Sequence, residues 1–139
     1  MPRRRTRARQ LAVQFLYLYD QRGEEVLPER DRFLQGETDD PEVIQVAREL
    51  IAGTVSTRKD LDAQIKSVAE NWDISRMAVI DRNILRLATY ELLHRDDIPV
   101  KVSINEAVEL GKMFSTENSG AFINGILDQI VRRKGLSIG

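Results

Sequence analysis

The stretch ISRMAVIDRNILRLATYELLHR, residues 74–95, is the longest and most apolar segment of this 139-residue chain. Its apolar side chains recur at steps of three and four residues, which is the spacing of one face of an α-helix. The DDIP sequence that follows should end the helix, because Pro99 disfavours the helical conformation in Ile98. We therefore expect a central helix in the second half of the chain, with a buried face formed by Met77, Ile80, Ile84, Leu87, Ala88 and Leu92.

Helical spacing continues on both sides of this segment, and strand-like alternation is absent over more than a few positions. The fold is therefore predicted to be all-α. A short helix is expected near residues 24–34, and Asp40 should cap a third helix that begins at Pro41. Thr57 should cap a fourth helix, whose apolar face carries Leu61, Ile65, Val68 and Trp72.

The last part of the chain is predicted to contain two more helices. Ser103 and Glu106 match a capping box at the start of the first of these. The second should follow the polar loop STENSG, run through Asn124 and Gly125, and end at Gly135. Gly125 is expected to let a neighbouring helix approach closely.

The first helix carries an unusual cluster of cations. Five arginines and no acid occur in residues 1–9, although a helix N-terminus normally favours negative side chains. The buried stripe should contain Ala8, Leu11, Phe15 and Leu18, with Ala12 and Tyr19 beside it. On the flank away from this stripe, steps of three and four residues predict a polar strip formed by Arg3, Arg7, Gln10, Gln14 and Tyr17.

Charge is segregated along the chain, although its net value is only −1. The basic start is followed by an acidic region in residues 20–62, while residues 63–139 carry equal numbers of acids and bases. A basic tip on an acidic or neutral body is typical of a polyanion-binding protein, because neutralised phosphates release counterions. A solvated tail is the alternative explanation of the same pattern.

Signs of catalysis are few. The chain has no cysteine and one histidine, His94, which lies among charged residues at the polar end of the central helix. It contains neither a glycine-rich phosphate loop of the GxxxxGK type nor an HExxH motif. We therefore predict a protein that is not an enzyme and uses no metal or cofactor. Because no apolar run reaches membrane-spanning length and cysteine is absent, a cytoplasmic location is expected.

The central helix is richer in charge than a buried helix requires. Arg86 and Glu91 are expected to make paired interactions in the helical core, since buried charges are tolerated only when paired. Asp81 differs because no cation lies one turn away on its own side. It is a candidate contact for a partner protein.

Four stretches together resemble the bacterial transcription antitermination factors of the NusB family. They are RRTRARQLAVQFLY, WDISRMAVIDRNILRLATYELL, IPVKVSINEAVELGKMF and STENSGAFINGILDQI, and they occur in the family's order. The resemblance implies an all-helical protein of about six to seven helices in two small packed bundles, spanning about residues 1–72 and 73–139. It also implies binding to the boxA element of ribosomal RNA transcripts together with NusE, a small-subunit ribosomal protein, in a complex that helps RNA polymerase resist termination.

The resemblance further assigns candidate binding residues. The family's RNA-contacting arginine motif falls on Arg5, Arg7 and Arg9, and Gln14 of the polar strip is predicted to join them. Asn118 and Phe122 match a second RNA-facing region, where the Phe122 ring would either stack on an unpaired base or belong to the core. Tyr17 and Asp81 match contacts to the protein partner.

Two other functions stay open on the sequence alone. One is a self-associating helical interaction module with only non-specific RNA affinity, and some family members are thought to form a homodimer. The other is the RNA-binding domain of an RNA cytosine methyltransferase, which would be a fragment of a longer enzyme. Met1 and the capped last helix favour a complete protein over that fragment.

Overall fold

The computed structural model describes residues 2–69 and 73–137, and all regular structure within these ranges is helical. The all-α prediction is therefore confirmed. Trp72 lies outside the described residues. The α-helices are α1 (Pro2–Arg22), α2 (Arg30–Glu37), α3 (Pro41–Ser56), α4 (Arg58–Val68), α5 (Val79–His94), α6 (Val100–Phe114) and α7 (Ser119–Lys134), with 3-10 helices at Gly23–Glu29 and Ile74–Arg76.

The chain divides into two compact units, residues 1–56 and 57–139. This division falls earlier than the predicted boundary near residue 72. The reason is that α4 packs on α5 and α7, so it belongs to the second unit although the sequence suggested the first.

The first unit is built around α1, which packs against α3 and contacts α2 and the first 3-10 helix. Phe15 is fully buried, and the centroid of its ring lies 5.8 Å from the ring centroid of Phe33. Asp40 caps α3 as predicted, because its Oδ1 accepts the Glu42 N–H at 2.9 Å. The Pro28 ring lies within a 3-10 helix, which explains why one continuous helix over residues 24–34 does not form.

The second unit is built around α5, which packs against α4, α6 and α7. The predicted helix over residues 74–95 is interrupted at Met77 and Ala78, whose backbone is extended enough to end the short 3-10 helix before α5 begins. Arg86 is buried and donates to both carboxylate oxygens of Asp62, at 2.7 and 3.2 Å. The expected pairing therefore exists, but its partner is on α4.

The predicted capping box at Ser103 was wrong, because α6 begins three residues earlier at Val100. Ser103 is buried inside α6 and donates to Glu91 Oε1 at 2.8 Å, which satisfies the other buried charge of α5. Helix α7 does run through Asn124 and Gly125 and ends at Gly135, a left-handed residue with φ of 65°.

The expected close approach at Gly125 was also wrong, since a Cβ there would meet nothing within 4 Å. Gly125 lies on the exposed side of α7. The tight contact between α6 and α7 is instead at Gly111, where an added Cβ would lie 2.7 Å from Ile123 Cδ1.

Candidate nucleic-acid and partner surfaces

The polar strip of α1 forms the first candidate surface. Its members, Arg3, Arg7, Gln10, Gln14 and Tyr17, are all exposed or partly exposed. The core residues of α1 are Ala8, Leu11, Ala12, Val13, Phe15 and Leu16. Arg7 Nη1 donates to Gln10 Oε1 at 3.2 Å, which holds the guanidinium along the strip. The first turn of α1 contains no acid, so its positive N-terminal dipole and its arginines add to one another.

The three predicted RNA-contacting arginines do not share one flank of α1. A residue advances about 100° around a helix, so Arg5 and Arg7 project about 200° apart, whereas Arg5 and Arg9 are one turn apart. Arg5 is exposed and Arg7 partly exposed, but Arg9 is only 4% exposed. Arg9 is buried because α1 packs over a wide arc that includes Ala12, Val13 and Leu16. In this conformation, Arg9 presents little surface to a ligand.

Arg4 projects toward the start of α3. Its Nε lies 3.0 Å from Asp40 Oδ2, and its Nη1 is hydrogen-bonded to Glu42. The Asp40 carboxylate therefore caps α3 with one oxygen and pairs with Arg4 through the other. These contacts fix the first turn of α1 against α3.

The second candidate surface is a groove of about 370 Å³ in the unit formed by residues 57–139. It is set at the junction between the start of α5, the loop after α6 and the first turn of α7. Most of its surface is apolar, although six of its nine lining residues are polar or charged. The groove is lined by Arg76, Met77, Ala78, Asp81, Ser115, Thr116, Asn118, Ser119 and Phe122.

Asp81 is the main polar feature of this groove. Its side chain belongs to the first turn of α5, and the residue is only 8% exposed. Oδ2 accepts a hydrogen bond from Ser119 Oγ at 3.2 Å. Oδ1 is buried, and within the described part of the chain no donor reaches it. A buried acceptor without a donor is uncommon in folded proteins, so Asp81 keeps an unused binding capacity.

Phe122 and Asn118 lie on either side of Ser119 at the start of α7. Asn118 is exposed, and Phe122 is half-buried in the wall of the groove. Phe122 is thus neither a fully buried core residue nor a freely exposed ring. An aromatic ring in this position can present part of its face to a ligand within the groove.

The structure thus brings together three predicted site residues, Asp81, Asn118 and Phe122, in one groove. The other five, including Gln14 and Tyr17, are on α1 in the first unit. Gln14 Oε1 is a second buried acceptor without a donor from the described residues. Sequence reasoning missed Arg76 and Ser119, although the position of Ser119 in the polar STENSG loop was a signal for the latter.

Other kinds of site are not evident in the described residues. Within residues 2–69 and 73–137, no group of three or more His, Cys, Asp or Glu side chains could hold a metal ion. No helix of the described chain combines the length and apolar character needed to cross a membrane.

Two comparisons of the sequence with known proteins point to the same family. The profile of the NusB family matches residues 6–132. The transcription antitermination protein NusB of Anaeromyxobacter dehalogenans (strain 2CP-1) is 48% identical over 131 residues, which cover 94% of this chain and 92% of that protein.

Solved structures show the same relationship. NusB of T. maritima has a TM-score of 0.81 and 40% identity, with 92% of this chain and 90% of that chain covered. A chain from the crystal structure of antitermination factors NusB and NusE in complex with double-stranded RNA has a TM-score of 0.83 and 28% identity, with 96% of this chain and 99% of that chain covered. The chain described here belongs to the NusB family.

Proposed function

We propose that this chain is a transcription antitermination factor that binds the boxA element of ribosomal RNA leader and spacer transcripts together with NusE. The polar strip of α1 is the observation that carries this proposal. A helix whose first turn has no acid, and whose arginines line an accessible flank, is electrostatically suited to an RNA backbone. The names of the curated relatives support the same role.

Arg3 and Arg7 contact RNA phosphates in this proposal, and Gln14 supplies an amide further along the same flank. Arginine suits this task because its planar fork meets a phosphate with two donors and its face stacks on unpaired bases. The Arg7–Gln10 hydrogen bond reduces the freedom that Arg7 would lose on binding. Arg5 adds a contact from its own flank, whereas Arg9 supports the helix from within the core.

The groove in the second unit supplies the other contacts. Phe122 stacks on an unpaired base, and the exposed Asn118 amide hydrogen-bonds to a base edge or to the sugar. The groove is lined by one carboxylate, Asp81, and one guanidinium, Arg76, and its surface is otherwise mostly apolar, so it suits a stacked base. This assignment treats the groove as a recognition site and α1 as the source of backbone affinity.

Tyr17 and Asp81 are the proposed contacts to NusE. Tyr17 is 39% exposed, which is unusual for a large apolar side chain and typical of an interface aromatic. Asp81 Oδ1 requires a donor that the described part of the chain does not supply. A donor from the partner would satisfy this atom and make Asp81 sensitive to truncation. The relative solved with NusE and RNA supports joint binding.

The wider role follows from these contacts. The chain acts in the cytoplasm as an adaptor, without catalysis, and its complex with RNA and NusE makes RNA polymerase resist termination on ribosomal RNA operons. A self-associated form would compete with this role if it covered α1. The mass of the free chain, measured by light scattering, separates the two states.

The test is an in vitro transcription assay with a terminator downstream of a boxA sequence. Readthrough should rise when this chain and NusE are added together, and it should stay at the basal level when boxA is scrambled. Asp81→Ala should lower readthrough when NusE is limiting, and readthrough should recover when NusE is in excess. Readthrough that is independent of both boxA and NusE would contradict the proposal.

A further inference from the structure

We infer that Ser119 is a positioning residue that couples partner binding at Asp81 to RNA binding at Asn118 and Phe122. This inference rests on the proposed function, and it assigns a role to a residue that contacts neither ligand. Ser119 is only 3% exposed, and it is the first residue of α7. It stands in sequence between the exposed Asn118 and the groove-lining Phe122.

The Ser119 hydroxyl is the centre of a small, partly buried network. Its Oγ lies 3.2 Å from Asp81 Oδ2 and 2.9 Å from Ser115 Oγ. It also accepts the Thr116 N–H at 3.2 Å and lies 3.1 Å from Thr116 Oγ1. The network therefore joins the first turn of α5 to Ser115 and Thr116 of the loop between α6 and α7.

This network has two arrangements because a hydroxyl has one proton. Ser119 can donate either to the Asp81 carboxylate or to a hydroxyl of the loop, Ser115 Oγ or Thr116 Oγ1, and all three acceptors lie within hydrogen-bond distance. In the first arrangement, Asp81 is held and Ser119 accepts from the loop. In the second, Asp81 Oδ2 loses its donor and the carboxylate is free to rotate.

Binding at Asp81 selects the first arrangement. A partner donor on the unused Oδ1 fixes the plane of the carboxylate, which leaves Oδ2 directed at Ser119. The Ser119 proton is then committed to Asp81, and the Ser119 oxygen accepts the Thr116 N–H and one hydroxyl proton from Ser115 or Thr116. The loop that carries Asn118 is fixed before RNA binds. Less conformational entropy of the loop is therefore lost when RNA binds.

The reverse effect follows from thermodynamic linkage. RNA that fixes Asn118 and Phe122 must favour the arrangement in which Asp81 is held, and it must raise partner affinity by the same factor. Coupling of this kind commonly amounts to about 5- to 150-fold.

The experiment measures the partner-dependent gain, which is the RNA Kd of the chain alone divided by its RNA Kd at saturating NusE. The full chain is used, with a boxA RNA as the probe. We expect a gain of about tenfold or more in the unmodified chain. Ser119→Ala should reduce this gain to about twofold or less, and RNA binding by the chain alone should change less than the gain does.

Three further variants separate positioning from a general loss of structure. Ser119→Cys keeps the shape but offers only a weak donor, so it should also lose the gain. Ser119→Thr keeps the hydroxyl and should retain it. Ser115→Ala removes one of the two loop hydroxyls that compete with Asp81 for the Ser119 proton, so the gain should be retained or increased.

The outcomes are distinct from those of the proposed function. A normal gain in the unmodified chain that persists in both Ser119→Ala and Ser119→Cys overturns the role of Ser119 and leaves the proposed function intact. Absence of any gain in the unmodified chain overturns the coupling and the proposed joint binding together. If Ser119→Ala does not fold, the Ser119→Cys and Ser119→Thr pair decides the question.

Discussion

Replacing Arg3 and Arg7 with Gln should weaken RNA binding in a way that salt reveals. Both side chains lie on the accessible flank of α1, and Gln preserves helix propensity while removing two charges. For a single-stranded RNA, each lost phosphate contact lowers the slope of log K against log salt by about 0.7, so the double variant should lose about 1.4. Between 1 M and about 0.15 M salt, this change in slope corresponds to a loss of RNA affinity of about fourfold per contact and about 15-fold in total.

The assay is a fluorescence anisotropy titration of a labelled boxA RNA at four or more salt concentrations. The matched control is Arg132→Gln with Arg133→Gln, which removes two exposed charges from the last turn of α7. Because Arg132 already lies 3.2 Å from Asp128, this control should change the slope by less than about 0.5. An unchanged slope in the α1 variant, or an equal change in both, would refute the assignment of the strip as the phosphate-contacting surface.

Three other predictions concern stability, measured by thermal and chemical unfolding. Arg9→Gln should lower the free energy of unfolding by about 1–3 kcal/mol and leave the salt slope of RNA binding unchanged, because Arg9 is 4% exposed; a stable variant with a reduced slope would show that Arg9 contacts RNA. Gly125→Ala should raise the free energy of unfolding by about 1 kcal/mol. Gly111→Ala should not raise the free energy of unfolding, because its Cβ would lie 2.7 Å from Ile123 Cδ1. Equal stabilisation by both variants would contradict the close packing at Gly111. The pKa of Asp31 is lowered from its ordinary value of 3.8, chiefly by the hydrogen bond from Arg48, so its contribution to stability is complete above pH 3.8 and is lost as the pH falls through the lower folded value. Asp31→Asn should therefore be less stable than the unmodified chain at pH 7, and the difference should shrink below pH 3.8; a difference independent of pH would argue against the ion pair.

Local spacing was sufficient to predict the all-helical class of the chain and the polar strip of α1, although not the bounds of every helix. Arg3, Arg7 and Gln14 were placed on one flank by steps of three and four residues, and the structure leaves that flank accessible. The caps at Asp40 and Gly135 were predictable for the same reason, since they depend on residues within one or two turns.

Long-range partners were not predictable from local spacing. The Arg86 side chain pairs with Asp62, 24 residues away, and Ser103 leaves its expected capping role to pair with Glu91. Arg9 appeared equivalent to its neighbours, but tertiary packing over a wide arc of α1 buries it.

The candidate site shows the same division. Asp81 could be singled out because no cation lay one turn away, but its unused Oδ1 and its bond to Ser119 depend on α7, 38 residues further along. The groove itself is formed by two segments, residues 76–81 and 115–122, that are distant in sequence. No periodicity argument brings Arg76, Ser119 and Phe122 together.

The most direct test of the proposed function is a binding titration against a boxA RNA and a scrambled RNA of equal length, with and without NusE, at two salt concentrations. The account predicts a preference for boxA that strengthens when NusE is present and persists at the higher salt concentration. Equal, weak and salt-sensitive binding to both RNAs, unaffected by NusE, would contradict it and leave only a basic helix with non-specific affinity for polyanions.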